Sequence, residues 1–328
     1  MTGLDDPDHW LASEAQLKII RDGFENFNAG RPAQIKTTRL RMALAASALA
    51  MTASIGLAWS LAVDDVRPIF LSCFAILALS AFFWNWVFSK VISHERQLRR
   101  RVFPAMFGFI SNFQYEIGTK PSFLEKLKQT EILYWEKFET EDCFKGNHEG
   151  LTFELCEIDL FINDDENGKT HKFHGLILHL KRTSQFGGVL LARQKRDMVE
   201  RIFGYLQSSS HQAVSSGIPE IDLAYDFRTS NAGADYAPLC IMSAKVLAWL
   251  QEIWNESPVQ IAFDGDDCFL LIQSGANNFE LPYIQSGDLR IDRDVLPLVK
   301  TMMTLLNIAH LISKIGAEKE QPVGLAQT

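Results

Sequence analysis

The chain has 328 residues, of which 47% are hydrophobic and 22% are charged, and its formal net charge is −8 at pH 7. A chain of this length can build a large hydrophobic core, and its acidic balance offers nucleic acid no overall electrostatic attraction. We therefore expect no nucleic-acid partner. The five cysteines form no CxxC pair, which favours reduced and mostly buried thiols: Cys73, Cys143, Cys156, Cys240 and Cys268.

An amphipathic pattern from Trp10 to Phe27 predicts a first helix. Its apolar side chains lie among charges, at Leu11, Ile19, Ile20, Phe24 and Phe27. Asn28-Ala29-Gly30, with Pro32 beyond it, predicts that this helix stops there. We expect the helix to pack on the protein, and a position on the membrane surface is the alternative.

Two apolar segments, Met42–Val63 and Ile69–Phe88, contain no charged side chain and are separated by only five residues. A helix of about 20 residues, at about 1.5 Å per residue, spans the roughly 30 Å hydrocarbon core of a bilayer. The segments therefore predict a transmembrane helical hairpin over residues 42–88.

Both flanks of this predicted hairpin are basic, whereas its connecting turn contains Asp64, Asp65 and a single arginine. The flanking residues are Arg31, Lys36, Arg39 and Arg41 before it and Lys90, Arg96, Arg99, Arg100 and Arg101 after it. The positive-inside rule then places both termini in the cytoplasm, with residues 1–41 as a cytoplasmic N-terminal segment. Specific recognition of lipid headgroups by these cations is a second interpretation.

Small residues recur every four positions in the first segment, at Ala46, Ala50, Ser54 and Ala58. Such a stripe allows a neighbouring helix to approach closely. We expect the neighbour to be the second segment, and a second copy of the chain is the alternative.

Trp84 and Trp86 bracket Asn85 near the cytoplasmic end of the second segment. Paired tryptophans are typical of the membrane–water interface, where water can also satisfy the amide, so Asn85 does not indicate an ion path. The helix is predicted to continue past Val91 and to break near Pro104.

Residues 95–316 predict a cytoplasmic α+β domain of antiparallel strands and packing helices. The aromatic-rich stretch from Phe103 to Phe113 predicts a packed helix, and Pro121–Leu133 predicts a short amphipathic piece. Alternating and apolar runs predict an antiparallel meander of three strands, at Leu151–Ile162, His171–Lys181 and Gly187–Ala192.

The second half of this predicted domain repeats the pattern of strand, helix and hairpin. A short helix is predicted at Arg196–Leu206, and the Ser-rich residues 207–217 are a possible sub-domain boundary. Further predicted elements are a strand at Ile221–Phe227, a helix at Pro238–Trp254, a terminal helix at Arg293–Lys314 and a flexible tail at 317–328.

Asp264-Gly265-Asp266-Asp267 predicts the turn of a hairpin between strands at Val259–Phe263 and Cys268–Gln273. Its acidic side chains are interpreted as turn chemistry.

A second acidic turn, Asn163–Gly168, partly matches a calcium-binding loop, with Asn163, Asp165, Asn167 and Gly168 at the first, third, fifth and sixth positions. The twelfth position requires a bidentate glutamate and is His174. We therefore interpret this segment as a solvated hairpin turn.

His171, His174 and His179 raise the possibility of a metal. Alternation along a strand places His171 and His179 on one face, about 26 Å apart, and His174 on the other face. We interpret the three as surface histidines. No GxSxG, HExxH, P-loop or dinucleotide-binding motif is present in the sequence. We therefore predict no catalytic, cofactor-binding or metal-binding residue.

Several short motifs follow the predicted hairpin: Glu141-Asp142-Cys143-Phe144-Lys145-Gly146, Leu151-Thr152-Phe153-Glu154-Leu155, Phe173-His174-Gly175-Leu176, and Asp226-Phe227-Arg228-Thr229-Ser230-Asn231 with Ala234 and Pro238. Over residues 90–315 their order resembles the bacterial membrane-protein family known as domain of unknown function 3137. The resemblance implies the same hairpin and order of elements, and the family brings no established activity.

Taken together, the sequence predicts a protein of the bacterial inner membrane with two spans and cytoplasmic termini. The leading functional hypothesis is a non-enzymatic, membrane-anchored binding or scaffolding module whose partner is a protein or a small ligand. The alternatives are an oligomerising, permeabilising membrane effector controlled by a cytoplasmic sensor domain, and a membrane-tethered hydrolase.

Overall fold

The computed structural model describes residues 13–63, 66–164, 168–195, 211–231, 233, 236–253, 259–281 and 287–314. Several predicted features lie outside this part of the chain: residues 165–167 of the Asn163–Gly168 turn, the Arg196–Leu206 helix, the tail at 317–328 and the side chain of Asn85. The chain divides into two compact units, one of residues 1–106 with 281–296 and one of residues 107–280 with 297–328.

The first unit contains two long helices, α1 (Glu14–Val63) and α2 (Arg67–Met106), which pack against each other. The predicted stop at Asn28–Gly30 is wrong, since α1 continues through Pro32. Asn28 does not cap the helix because its side-chain amide makes two hydrogen bonds with Leu289, to the carbonyl oxygen at 3.3 Å and from the backbone N–H at 3.0 Å. The predicted continuation of the second helix is confirmed, and α2 ends two residues after Pro104.

The residues of α1 that are buried in the helix pair differ from the predicted small-residue stripe. Ala45, Gly56 and Ser60 are buried. The stripe itself is exposed, at Ala46, Ala50, Ser54 and Ala58. The buried residues are offset from the stripe by one or two positions. Because successive residues are rotated by about 100° around an α-helix, the two sets lie on different faces. The expectation that the stripe packs against the second segment is therefore wrong.

Within the part of the chain that the structure describes, two helical stretches are long and apolar enough to cross a membrane, Glu14–Val63 and Ile291–Ser313, and α2 contains a shorter apolar stretch at Ile69–Trp84. Of the most apolar window in each long stretch, 11% is buried in the first and 50% in the second. Length and composition thus suggest association with lipid, and most strongly for α1.

The described residues of the second unit form one antiparallel sheet of seven strands. The order is β1-β2-β3-β4-β6-β5, and β7 also pairs with β4. The strands are β1 (Ser111–Ile117), β2 (Lys137–His148), β3 (Leu151–Asp164), β4 (Gly168–Gln194), β5 (Gln212–Val214), β6 (Tyr225–Thr229) and β7 (Val259–Gln273). The α+β class is confirmed.

Helices accompany the sheet: α3 (Leu124–Gln129), α4 (Pro219–Ala224), α5 (Tyr236–Ile253) and α6 (Leu296–Ser313), the last preceded by a π-helical turn at Ile291–Val295. Apolar side chains of the sheet and of the α3 region form a buried cluster that includes Phe123, Trp135, Ile158, Phe173 and Phe269. The helices predicted near 238–254 and 293–314 are confirmed. The predicted strand Ile221–Phe227 is partly wrong, because its first residues form α4 and the strand begins at Tyr225.

Strand β4 is a single strand of 27 residues that covers both the second and the third predicted strands. Its register against β7 shifts between Lys181 and Val189, so the strand bends without ending. The predicted hairpin around residues 264–267 is wrong for the same reason. Asp264 and Asp267 lie opposite Val189 and Lys181 of β4, and β7 passes through them as one strand.

Cys143 and Cys156 lie opposite each other on β2 and β3, with their Cα atoms 4.2 Å apart, and form a disulfide. The expectation of reduced thiols is therefore wrong for this pair. Strand register brings these two cysteines together, so no closely spaced cysteine motif in the sequence indicates the pair. Cys240 and Cys268 are buried free thiols, and Cys73 is an exposed one.

Candidate functional site

An ion-pair network joins α3, β4 and β7 around Asp267, whose side chain is only 8% exposed. Its carboxylate accepts hydrogen bonds from Lys126 Nζ at 2.7 Å and His179 Nε2 at 2.7 Å, and Lys181 Nζ lies 2.9 Å away. Burial alone would raise the pKa of Asp267, but these three donors outweigh it and lower the pKa to about 2. Asp267 is therefore a permanently charged anchor at neutral pH.

His179 packs against two aromatic rings. The ring centroid of Phe269 is 5.0 Å away in a stacked arrangement, and that of Phe123 is 5.5 Å away. Burial lowers the pKa of His179, and the hydrogen bond to Asp267 offsets this only in part. We infer a neutral imidazole with its proton on Nε2, which is the nitrogen that faces Asp267.

A second buried carboxylate, Glu154, binds the residue that precedes Phe123. Ser122 donates to Glu154 from its backbone N–H at 2.9 Å and from its hydroxyl, and Lys145 Nζ lies 3.3 Å from the same carboxylate. Among the described residues, no hydrogen bond joins Ser122 to His179. The bonds to Glu154 fix Ser122 beside Phe123, whose ring packs against His179.

The three sequence-predicted histidines are arranged differently from the expectation. The register between β3 and β4 shifts at Leu160 and Phe161, and this bulge places His171 and His174 together at Asp159. Asp159 Oδ1 lies 3.4 Å from His171 Nδ1 and 2.8 Å from His174 Nδ1. The predicted opposite orientation of these two residues is wrong, because strict alternation fails across a bulge.

Glu157 on β3 is a buried acid with a strongly perturbed pKa. Its Oε1 accepts hydrogen bonds from the backbone N–H of Asn278 at 2.6 Å and from the Asn278 amide at 3.2 Å. Its Oε2 is buried and finds no hydrogen-bond partner among the described residues. Burial is the dominant cause that raises the pKa of Glu157 to about 7, and the hydrogen bonds from Asn278 oppose it.

The first unit has two basic clefts along its long helices. One, of about 500 Å³, is lined by Arg31, Pro32, Ile35, Lys36, Arg39 and Asp288. The other, of about 460 Å³, is lined by Ser89, Ile92, Ser93, Arg96, Gln97 and Arg100. Arg31 is paired with Asp288 at 2.7 Å, so the remaining cations dominate the first cleft. Both clefts carry charge that suits an anionic group.

The sequence does not indicate the clusters around Asp267 and Glu154, because their members are far apart in the chain. Lys126 and Asp267 are 141 residues apart, and Ser122 and Glu154 are 32 apart. A third missed group consists of His148, Glu149 and His310, whose ligand atoms converge at the β2–β3 turn. Such groupings arise from strand register and helix packing, which short motifs do not record.

Comparison with known proteins gives little further guidance. No family model matches the chain, and no curated protein does. The crystal structure of the mycobacterial trehalose monomycolate transport factor A is similar with a TM-score of 0.33 and 12% sequence identity, covering 64% of this chain and 93% of that one. A likeness at this level carries no argument about function.

Proposed function

We propose that this chain is a membrane-anchored binding or scaffolding module, held in the bilayer by residues 42–88. One observation carries the proposal. Most of the exposed large apolar side chains lie between Leu40 and Ile92, including Met51, Ile55, Phe70 and Phe74, each at least 60% exposed. Exposed apolar surface on this scale is unfavourable in water and favourable in lipid.

The hydrogen bonds within the two helices support the same placement. Thr52, Ser54 and Ser80 each donate to the carbonyl oxygen four residues earlier, at 2.9, 2.9 and 2.7 Å. A hydroxyl satisfied by its own helix needs no water, which suits a lipid-facing position.

Arg41 and Trp86 support a membrane boundary at one end of the apolar segments. The Arg41 guanidinium donates to the carbonyl oxygen of Trp86 at 2.7 Å and lies 5.0 Å from the Trp86 ring centroid. Arginine and tryptophan are both typical of the interface between lipid and water. With the basic flanks, this favours two spans and cytoplasmic termini in a bacterial inner membrane, and we propose membership of the family of domain of unknown function 3137.

The binding function is tested by site-specific photo-crosslinking of the full chain in native membranes. A crosslinker at Leu223, which is 79% exposed on α4, should give one discrete adduct with a protein. The same crosslinker at Phe74, within the proposed span, serves as the control and should give only lipid adducts. Absence of a Leu223 adduct, together with no shift of the melting temperature by membrane extracts, would contradict the binding function.

The exposed small-residue stripe favours a second candidate, an effector whose spans oligomerise. Replacing Ala50 and Ser54 by leucine would block close approach of another helix there. The size of the detergent-extracted protein should then fall if the chain oligomerises through this stripe. Ala48→Leu is the matched control, because Ala48 lies two positions from Ala46 and from Ala50 and is therefore rotated by about 160° from each around α1. An unchanged size in the double variant would reject the effector.

A further inference from the structure

The turn between β2 and β3 brings two histidines and a glutamate together. Glu149 and Gly150 form a two-residue turn with φ angles of 48° and 82°, the type I′ geometry of tight hairpins. His148 ends β2 directly before this turn. His310 belongs to α6 and lies three residues before the helix ends at Ser313.

The distances within this group suit a metal ion. His148 Nδ1 lies 3.3 Å from His310 Nε2, and His310 Nε2 lies 3.7 Å from Glu149 Oε2. All three ligand atoms are within 4.8 Å of one another. A tetrahedral Zn²⁺ with Zn–N bonds of about 2.0–2.1 Å separates its ligand atoms by about 3.3 Å. The two imidazole nitrogens are therefore already at the spacing of a zinc site.

The surroundings hold the histidines and leave the glutamate movable. The ring of Phe109 meets the His148 ring edge-on at a centroid distance of 5.9 Å. The His310 side chain is 18% exposed, whereas the Glu149 side chain is 76% exposed. Glu149 can therefore rotate to shorten its distance to an ion without disturbing the core.

We propose that His148 Nδ1, His310 Nε2 and the Glu149 carboxylate form a binding site for a borderline divalent cation, with Zn²⁺ as the best match. Three protein ligands leave a fourth position open to water or to an anionic group. The ion would crosslink the β2–β3 turn to the C-terminal turn of α6, two segments separated by 162 residues. This site goes beyond the binding function proposed above and does not depend on it.

The competing interpretation is a plain hydrogen bond between the two histidines, with one ring donating and the other accepting. That arrangement needs no ion and gives no role to Glu149. The two interpretations differ in metal stoichiometry and in the effect of each substitution.

The test uses the full chain in detergent, produced without a histidine tag and stripped with a chelator. Zn²⁺ binding is measured by calorimetry, and Co²⁺ binding by the visible absorption of a tetrahedral complex. We expect one ion per chain, at least about tenfold weaker binding for His148→Gln and for His310→Gln, and a smaller loss for Glu149→Gln because water can replace an exposed carboxylate.

The control is His171→Gln, which removes an exposed histidine elsewhere on the sheet and should bind Zn²⁺ as the natural chain does. Zn²⁺ should also raise the melting temperature of the natural chain but not that of His148→Gln. If His310→Gln does not fold, His148→Gln and Glu149→Gln still decide the question. The proposal is overturned if the natural chain binds neither ion, or if His148→Gln binds as tightly as the natural chain.

Discussion

Individual side chains of the sheet combine burial with charge, and two of them have measurable consequences. Asp267 is stabilised in its ionised form by three donors, whereas Glu157 is pushed toward its protonated form by burial. The two carboxyls lie on β3 and β7, the strands on either side of β4, and respond to pH in opposite directions. Neither behaviour is visible in the sequence, where both appear as ordinary acidic residues.

Replacing Glu157 by glutamine should remove a pH-dependent loss of stability. In the folded chain the pKa of Glu157 is about 7, which is above its ordinary value of 4.5. Protonation of Glu157 therefore stabilises the fold fully below pH 4.5, and this stabilisation is lost as the pH rises through 7. At pH 8 the unfolding free energy of the variant should therefore exceed that of the natural chain by roughly 3 kcal/mol at most. The variant should accordingly unfold at a higher temperature.

Thermal melting at pH 4.5 and pH 8 measures this difference, which should nearly vanish at the lower pH. Glu116→Gln is the control, since Glu116 is an exposed carboxylate on β1 and its replacement should change neither melting temperature appreciably. A Glu157→Gln variant that is less stable than the natural chain at pH 8 would contradict a protonated Glu157.

Asp267→Asn should destabilise the fold by about 1–3 kcal/mol, because it leaves Lys126, Lys181 and buried His179 without their common acceptor charge. Asp266→Asn is a matched control. Asp266 is 40% exposed and, among the described residues, bonds only to Lys181 at 2.8 Å, and an exposed ion pair contributes about 0–1 kcal/mol. Chemical denaturation of both variants measures the loss of unfolding free energy. Equal losses would show that the network around Asp267 stabilises the fold no more than an exposed ion pair does.

At the scale of elements, β4 organises the second unit. It pairs with β3 and β7 along its first half and with β7 and β6 along its second half. Gly175 lies in its first half with a φ of 151°, and a Cβ at this position would overlap the backbone oxygen of Ile272 on β7. The strand can therefore approach β7 only because residue 175 has no side chain.

Gly175→Ala should consequently cost about 2 kcal/mol or more, as overpacking against a fixed backbone does. Gly275→Ala is the control, because no atom lies within 4 Å of the Cβ it would add. Melting temperatures of the two variants decide the matter. Equal stability of Gly175→Ala and the natural chain would mean that the β4–β7 register is not fixed by this contact.

An element could be predicted when the sequence pattern that specifies it lies within the element itself. Long periodic stretches such as α5 and α6 were predicted well, since their apolar faces recur within the element itself. The hairpin prediction at Asp264–Asp267 is wrong because residues typical of turns can also lie within a strand, here β7, that pairs with a bent strand. The clusters around Asp267 and Glu157 were not predictable, since they depend on register between strands that are distant in the chain.

At the scale of the whole molecule, two observations bear on the proposed orientation in the membrane and point in opposite directions. The basic flanks of residues 42–88 favour a cytoplasmic sheet. The disulfide between Cys143 and Cys156 is of a kind that persists mainly in oxidising compartments.

Thiol labelling of chains denatured directly from cells distinguishes the two orientations. We expect all five cysteines to react if the sheet is cytoplasmic, and only Cys73, Cys240 and Cys268 if it faces an oxidising compartment. A reporter enzyme that is active only outside the cytoplasm, fused after Thr328, should be silent in the first case. Reporter activity with three reactive thiols would overturn the cytoplasmic topology.

The length of α1 and α2 gives the proposed anchor a second property, which is reach. The part of α1 before Met42 spans about 28 residues and the part of α2 after Phe88 about 18, so helix extends roughly 40 Å and 27 Å beyond the apolar segments. Each helix is continuous from its apolar segment into this extension, so the extension is a helical spacer and not a flexible linker. In the proposed membrane topology, adding whole helical turns to both helices would lengthen this spacer in steps of about 5.4 Å.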